Sequence, residues 1–484
     1  MGELRNPFLI IILLLSVVIG SSHLTRGHEW GDDFASYIMQ SESIVNGEMQ
    51  EFVEHNNITI HQSSSQTGPV AYPWGYPLIL TPAYMIKGIS PLTLKIPALI
   101  FFAGFSICLF LLVRNHFTRI ESLLFVSLFA FNPLLINFLD QILSDIPFLF
   151  FSTLALLLMT KENKRGIPHH VLIGVLIAFA FFIRTVGILL LASFLIVETY
   201  RAWSDRKNRQ LFIKILQNIF MVCMSFGVLW LMYSLIFPGG SESYFDQLRG
   251  FKLEIALQFA IDYFQLFSAF FGESRVWQYL YYLLFIFFLI GLWSRRRDDF
   301  ALIVFFALWM LMLITWPIWQ GPRFIFPLIP IFIYFTFQGM KLVIKSLPEA
   351  SHQTAQKAFL GFWILLAGIF LVNSSLGAAV NLRNSRSING PFDPFSLQMY
   401  DYIREKTSSD SVIVFFKPRA MRLMTDRDAI MSTECSRMSL GDHIVLSRKV
   451  EENQQISPEE IASCNLPLEE VFRNRRFIIY DILK

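Results

Sequence analysis

Charge is scarce in this sequence: only 16% of the 484 residues are Asp, Glu, Lys or Arg, whereas 54% are hydrophobic. That balance excludes the roughly three soluble domains that such a length would otherwise suggest, and it equally excludes a disordered or fibrous chain. Four cysteines are too few for a disulfide scaffold. The 40 basic and 37 acidic residues leave a formal charge of +3, which indicates no nucleic-acid partner. A Gly-rich phosphate loop, a His-Glu-x-x-His zinc site, a Cys-x-x-Cys pair and a Gly-x-Ser-x-Gly elbow are all missing, so nucleotide hydrolysis and standard hydrolase chemistry have no support. Nor is there an internal repeat, which weighs against the inverted-repeat transporter folds.

What the chain does have is long apolar runs, in which Phe alone accounts for 50 residues. A bilayer core about 30 Å thick needs ~20 mostly apolar residues per helix. Eleven segments qualify: 7–23, 94–113, 120–138, 146–160, 169–183, 185–200, 212–237, 277–293, 300–316, 324–340 and 358–377. The expected fold class is an α-helical polytopic membrane protein of about eleven transmembrane helices. Interfacial helices are expected in a first external loop, 24–93, and a small α/β domain at the C-terminal end. Residues 1–379 would form the membrane domain and 380–484 the extracytoplasmic one, with strands near 411–416, 443–447 and 477–483 and a helix over 395–406.

Orientation follows from Lys and Arg. With the N-terminus in the cytoplasm, cytoplasmic segments hold 17 of the 40, among them Arg5, Lys161, Lys164, Arg165 and the run Arg295 to Arg297; external loops hold 8, including Arg249, and the tail holds the other 15. Segment 71–87 is apolar enough to tempt a twelfth span but contains Pro73, Pro77 and Pro82. It would invert every later loop, so it reads as a kinked interfacial segment. No small-x-small cleavage site follows the first span, which therefore reads as an uncleaved anchor.

Two acidic clusters then fall on the external face. The first is Gly31-Asp32-Asp33-Phe34, where apolar residues at 34, 37, 38, 44 and 45 predict an amphipathic helix lying along the membrane surface. Asp32 or Asp33 would serve as a plain N-cap there, a role compatible with catalysis. The second is Asp140 to Pro147, where Ser144 or Asp145 could cap the next helix. Ionisable groups at the mouth of a helix bundle mark functional sites. Arg184 and Arg323 on the same face could grip a phosphate, although snorkelling to lipid headgroups is the plainer use of each alone. His28, His55 and His61 lack ligand spacing and read as solvated surface histidines. Cys435 and Cys464 could pair in an oxidising compartment, while Cys108 and Cys223 read as packing residues.

The order of these features resembles the GT-C superfamily of membrane glycosyltransferases, which includes protein O-mannosyltransferases and the aminoarabinose transferase of lipid A. The resemblance is carried by Gly31 to Tyr37, by Ala71-Tyr72-Pro73-Trp74-Gly75-Tyr76-Pro77, by Lys87-Gly88 and Lys95-Ile96-Pro97, and by Ser144 to Pro147. Arg184 to Gly187, Pro322 to Pro327 and, in the tail, Tyr402-Ile403-Arg404 and Phe416-Lys417-Pro418-Arg419 extend it over nearly the whole chain.

The resemblance implies a polyprenyl-phosphate-linked sugar as donor and an inverting hexosyl- or pentosyltransferase acting on the external face of a bacterial inner membrane. The acceptor would be a lipid, glycan or protein. The catalytic base would be Asp33, with Asp32 as the alternative, and Asp145 would orient the acceptor, the base or a divalent metal ion. Arg184, Arg323, Lys95 and Lys87 would bind the donor phosphate, and Tyr37, Tyr72, Trp74 and Tyr76 would line the donor or acceptor pocket. Lys95 stands where Arg is frequent in the superfamily, and a Lys cannot bind phosphate bidentately. A membrane transporter or flippase of an amphipathic substrate is the competing class, but its ionisable residues would be expected near the bilayer midplane. A receptor or assembly subunit is a third.

Overall fold

The structure, a computed structural model, describes residues 6–65, 68–160, 166–239, 250–448 and 454–483. Arg5, Lys161, Lys164, Arg165 and Arg249, used above for orientation, lie outside the described residues. The membrane domain opens with α1 (Pro7–His23), followed by the helices of the first loop, α2 (Asp33–Asn46), α3 (Met49–Gln62) and α4 (Gly75–Lys87). Next come α5 (Pro91–Val113), α6 (Arg119–Ala130), α7 (Pro133–Phe138), α8 (Asp145–Thr160), α9 (Ile167–Ile183), α10 (Ile188–Ser204) and α11 (Arg209–Ile236). The domain closes with α12 (Leu253–Leu266), α13 (Arg275–Ser294), α14 (Phe300–Thr315), α15 (Ile329–Ser346) and α16 (Glu349–Asn384).

Helices therefore occupy all eleven apolar segments. Five stretches, α5, Thr185–Ser204, α11, α13 and α16, are long and apolar enough to cross a bilayer by themselves, and α1, α8, α9 and α14 are shorter apolar helices. The expected span 120–138 is not continuous. Pro133 has no N–H for the helical ladder, so the chain restarts at Asn132, whose side chain accepts from the N–H groups of Leu134 and Leu135 and donates to Phe270 O at 2.8 Å.

Close helix packing uses small residues, because lipid supplies no hydrophobic force to drive helices together. Where α13 crosses α15, a Cβ at Gly291 would lie 1.8 Å from Phe335 O, and one at Gly339 would lie 1.9 Å from Phe287 O. Only hydrogen fits at either position.

The amphipathic pattern after the first span does form a helix, but α2 does not lie on a surface. Phe34 to Ser41 are all buried, because α4 packs against α2 from the membrane domain and the C-terminal domain covers it from the other side. α4, with Pro82 inside it, is a 13-residue helix, too short to span.

The C-terminal domain consists of α17 (Pro394–Lys406), β1 (Val412–Val414), α18 (Pro418–Thr425), β2 (Asp428–Ile430), α19 (Cys435–Met438), β3 (His443–Ser447), β4 (Leu468–Arg473) and β5 (Phe477–Ile482). The sheet order is β2-β1-β3-β5-β4; β1 runs parallel to β2 and β3, while β5 runs antiparallel to β3 and β4. α16 continues to Asn384, past the expected boundary at 379. Cys435 and Cys464 form a disulfide.

The domain docks on the first loop through an aromatic clamp. Trp30 packs edge-on against Phe415, Phe416 and Phe477, and a Cβ at Gly390 would meet His28 O at 1.8 Å. At the other end of the bundle, residues expected in the cytoplasm gather: Lys341 pairs with buried Glu121 at 2.7 Å, and Arg295 with Asp299 at 2.8 Å.

The Gly291–Gly339 crossing predicts that Gly291→Leu lowers the thermal midpoint of the detergent-solubilised protein, by an amount corresponding to about 1–3 kcal/mol of overpacking. Gly361→Leu on α16, where a Cβ meets nothing within 4 Å, serves as the control and should leave the midpoint unchanged.

Candidate active site

Asp32 occupies the N-cap position of α2 without making a side-chain cap hydrogen bond, and Asp33 is the first residue of that helix. Plain capping is thus not what either carboxylate does. Asp33 accepts a hydrogen bond from the Tyr72 hydroxyl at 2.5 Å and from the Arg323 guanidinium at 2.7 Å, and remains a quarter exposed. Burial raises its pKa, but the Arg323 charge and the hydrogen bonds from Tyr72 and Arg323 outweigh that and hold the carboxyl below its ordinary range. Asp32 faces inward, where its Oδ1 accepts from the Arg419 N–H at 3.2 Å. Burial pushes its pKa up to about 6, against the pull of Lys417 and Arg419.

Arg323 lies in the short 3-10 turn Pro322–Ile325 just before α15, preceded by Gly321 at φ 78°, a left-handed backbone that glycine adopts without strain. It bridges two carboxylates, pairing with Asp33 and approaching Asp145 Oδ2 at 3.8 Å. Asp145, buried at the start of α8, is hydrogen-bonded through Oδ1 to Arg184, which packs its guanidinium over the Phe324 ring at 4.3 Å. Asp145 Oδ2 has no hydrogen-bond partner among the described residues. Beneath this chain the rings of Tyr37, Tyr72 and Tyr76 pack together, 4.8–4.9 Å between centroids, and the Tyr37 hydroxyl lies 3.1 Å from Ser144 Oγ.

The Asp33–Arg323 pair opens on a cavity of about 560 Å³. Its lining mixes apolar side chains, Phe34, Leu134, Phe138 and Leu143, with the polar Asn137, Asp140 and Gln141, and Arg386, Lys417 and Gln454 join it from the chain beyond α16. Lys417 donates to Gln454 at 2.7 Å, whereas Arg386 is exposed and makes no ion pair among the described residues. The lining thus brings carboxylates, cations and apolar side chains to one pocket.

Of the residues singled out in the sequence, Asp32, Asp33 and Arg323 line the cavity, Tyr72 touches Asp33 from behind, and Asp145 and Arg184 support Arg323. The others are placed differently. Lys95 is fully buried and its ammonium is surrounded by Asp140 at 2.6 Å, Gly27 O at 2.7 Å, Thr25 O at 3.0 Å and Thr25 Oγ1 at 3.2 Å, so it organises the 25–27 segment rather than meeting a phosphate. Lys87 is exposed at the far end of α4. Trp74 is a packing residue: its indole donates to Pro238 O at 2.9 Å and stacks on Phe237. His28, expected on the surface, is buried; its Nε2 accepts from Ile142 N–H at 3.0 Å, which leaves Nδ1 to donate to Glu29 O, and burial holds the imidazole neutral by lowering its pKa to about 3. Arg386, Lys417 and Arg419 carried no role in the sequence reading, although Phe416-Lys417-Pro418-Arg419 was among its matching segments.

A divalent ion does not fit the donor set. Asp145 is held between two guanidinium groups, and no three His, Cys, Asp or Glu side chains converge among the described residues.

Residues 71–233, a third of the chain, match the family model of dolichyl-phosphate-mannose-protein mannosyltransferases. The fold is similar to ArnT from Cupriavidus metallidurans bound to undecaprenyl phosphate, at 12% identity and a TM-score of 0.61 with 98% of each chain covered. It is also similar to the archaeal oligosaccharyltransferase AglB from Archaeoglobus fulgidus, in complex with an inhibitory peptide and a dolichol-phosphate, at 13% identity and a TM-score of 0.58, covering 92% of this chain and 70% of that one. No curated protein sequence matches the chain. The family-model match and the fold are both similar to those of GT-C membrane glycosyltransferases, and five helices are long and apolar enough to cross a membrane.

Asp32 supplies a test of the site's electrostatics. An acid whose pKa is raised on folding weakens the fold at pH above that value, and the penalty fades as pH falls through about 6 towards the ordinary 3.8. Asp33 has the opposite sign and loses its stabilising effect only at still lower pH. Asp32→Asn should therefore melt higher than the unmodified protein at about pH 7.5, the gap closing towards about pH 4.5; equal midpoints throughout would show Asp32 to be unperturbed.

Proposed function

We propose that this protein transfers a sugar from a polyprenyl-phosphate donor to an acceptor hydroxyl on the extracytoplasmic face of a bacterial cell membrane, with Asp33 as general base. The observation that carries this reading is the Asp33–Arg323 pair, a carboxylate and a guanidinium together at the edge of one cavity that Phe34, Leu134, Phe138 and Leu143 also line. The polyprenyl chain would lie against these apolar side chains, its phosphate meeting Arg323, with Arg386 and Lys417 lining the same cavity.

In the transfer step the acceptor oxygen attacks the anomeric carbon while the bond from that carbon to the phosphate oxygen breaks, inverting the configuration. The hydroxyl proton passes to Asp33, and the departing phosphate is stabilised by the cations. Arg323 couples the two events. In the ligand-free site it holds the Asp33 carboxyl ionised and weakly basic. A donor phosphate competes for the same guanidinium, and drawing it away raises the basicity of Asp33 when a proton must be taken up.

The external orientation is supported by the Lys and Arg asymmetry and by the Cys435–Cys464 disulfide, which suits an oxidising compartment. A transporter is less well supported, because the ion-paired carboxylates sit at one end of the bundle, beside the first loop and the C-terminal domain.

Sugar transfer by the purified protein in proteoliposomes supplied with polyprenyl-phosphate sugar is the direct test. Asp33→Asn, at normal membrane levels, should lower turnover by about 10²–10⁴-fold, and near-normal turnover would remove the base role. Arg323→Ala should raise the KM for the donor more than that for the acceptor; the reverse pattern would take Arg323 away from the phosphate.

A further inference from the structure

Resting on the reading of Asp33 as the base, we infer that Arg419, supplied by the C-terminal domain, is a positioning residue for the reaction: it holds Tyr72 where its hydroxyl meets Asp33. Arg419 is fully buried, a guanidinium sealed between two domains. Its Nε donates to Asn56 Oδ1 at 3.4 Å, its terminal amino group to Pro69 O, and its carbon centre lies 5.3 Å from the centroid of the Tyr72 ring. Asn56 in turn donates to Val70 O. The segment that carries Tyr72 is thereby tied down at residues 69, 70 and 72.

The fit is close on the other side as well. Gly68 has φ +129°, and a Cβ there would lie 2.8 Å from the Tyr72 hydroxyl oxygen and 3.0 Å from the Arg419 guanidinium. The backbone N–H of Arg419 meanwhile anchors Asp32, the neighbour of the base. One residue of the last domain thus reaches both aspartates, Asp32 directly and Asp33 through a tyrosine. Packing alone would be served by an apolar side chain of similar volume, without the penalty of desolvating a charge.

The charged and titratable groups facing Asp33 are Arg323, Tyr72, Arg419, Asp32, Tyr37 and His28. Loss of Arg419 removes one positive charge from this set and frees the Tyr72 ring. The base should then be less well oriented and titrate higher.

The test compares Arg419→Gln, Arg419→Lys and Tyr72→Phe in the full-length protein reconstituted in proteoliposomes with polyprenyl-phosphate sugar. Arg419→Gln is expected to lower kcat by about 10–100-fold, to change donor KM little, and to move the acidic limb of the pH–rate profile to higher pH. Tyr72→Phe should move that limb in the same direction, and adding Arg419→Gln to it should have a smaller effect than in the unmodified background. Arg419→Lys keeps the charge and loses the fork, so it should restore the limb but not the full rate; it carries the kcat readout if Arg419→Gln fails to accumulate. A reduced yield of active protein with unchanged kcat and pH profile would overturn the positioning role, as would full additivity with Tyr72→Phe. If Asp33→Asn is itself active, the reading of the base fails; if it is inactive and Arg419→Gln has normal kcat, only the positioning role fails.

Discussion

One guanidinium holds two carboxylates together at the end of the helix bundle. Arg323 pairs with Asp33 from the first loop and approaches Asp145 from the start of α8, so three elements distant in sequence meet at one cation. Left without it, Asp33 would be a mostly buried carboxylate next to Asp32, a like-charged neighbour, and ionisation there would be disfavoured. Arg184 closes the arrangement by taking the other oxygen of Asp145. Two cations then balance two anions, and the ionised state is kept in a largely dehydrated place.

The rest of the architecture serves this arrangement. α2 begins at Asp33 and is buried along most of its circumference, which fixes the direction of the carboxylate. α4 brings Tyr76 beneath it, and the segment before α4 brings Tyr72 beside it. Lys95, satisfied by four oxygens, stiffens the turn between α1 and the aspartates. The cavity beside this arrangement is lined by apolar, acidic and cationic side chains together.

Much of this was legible from the sequence because bilayer thickness imposes a length on apolar runs and charge imposes a sidedness on loops. The eleven helical segments, strand β3 over 443–447 and the placing of Asp33, Asp145 and Arg323 on one face follow from those two rules and from the order of short motifs. Residues whose environment is created by distant chain were not legible. Lys95 and Lys87 have the same chemistry in sequence, yet one is enclosed by Asp140 and backbone carbonyls and the other is exposed. The surface helix became a buried one because α4 and the C-terminal domain enclose it, the latter through a contact between residues nearly 400 positions apart that periodicity cannot register, and His28 became a buried neutral imidazole because Ile142 and Phe34 pack against its ring. Arg419 was hidden for the same reason: Arg in a short polar helix looks like a solvated side chain.

The reach of the last domain back to the first loop also orders events during biosynthesis. Asp32 and Asp33 leave the ribosome early, and the side chains that cover them come from the final hundred or so residues. A nascent or truncated chain can insert every one of its apolar helices and still lack the cover over its acidic pocket. The acidic pocket is therefore complete only once the C-terminal domain has folded back onto the first loop.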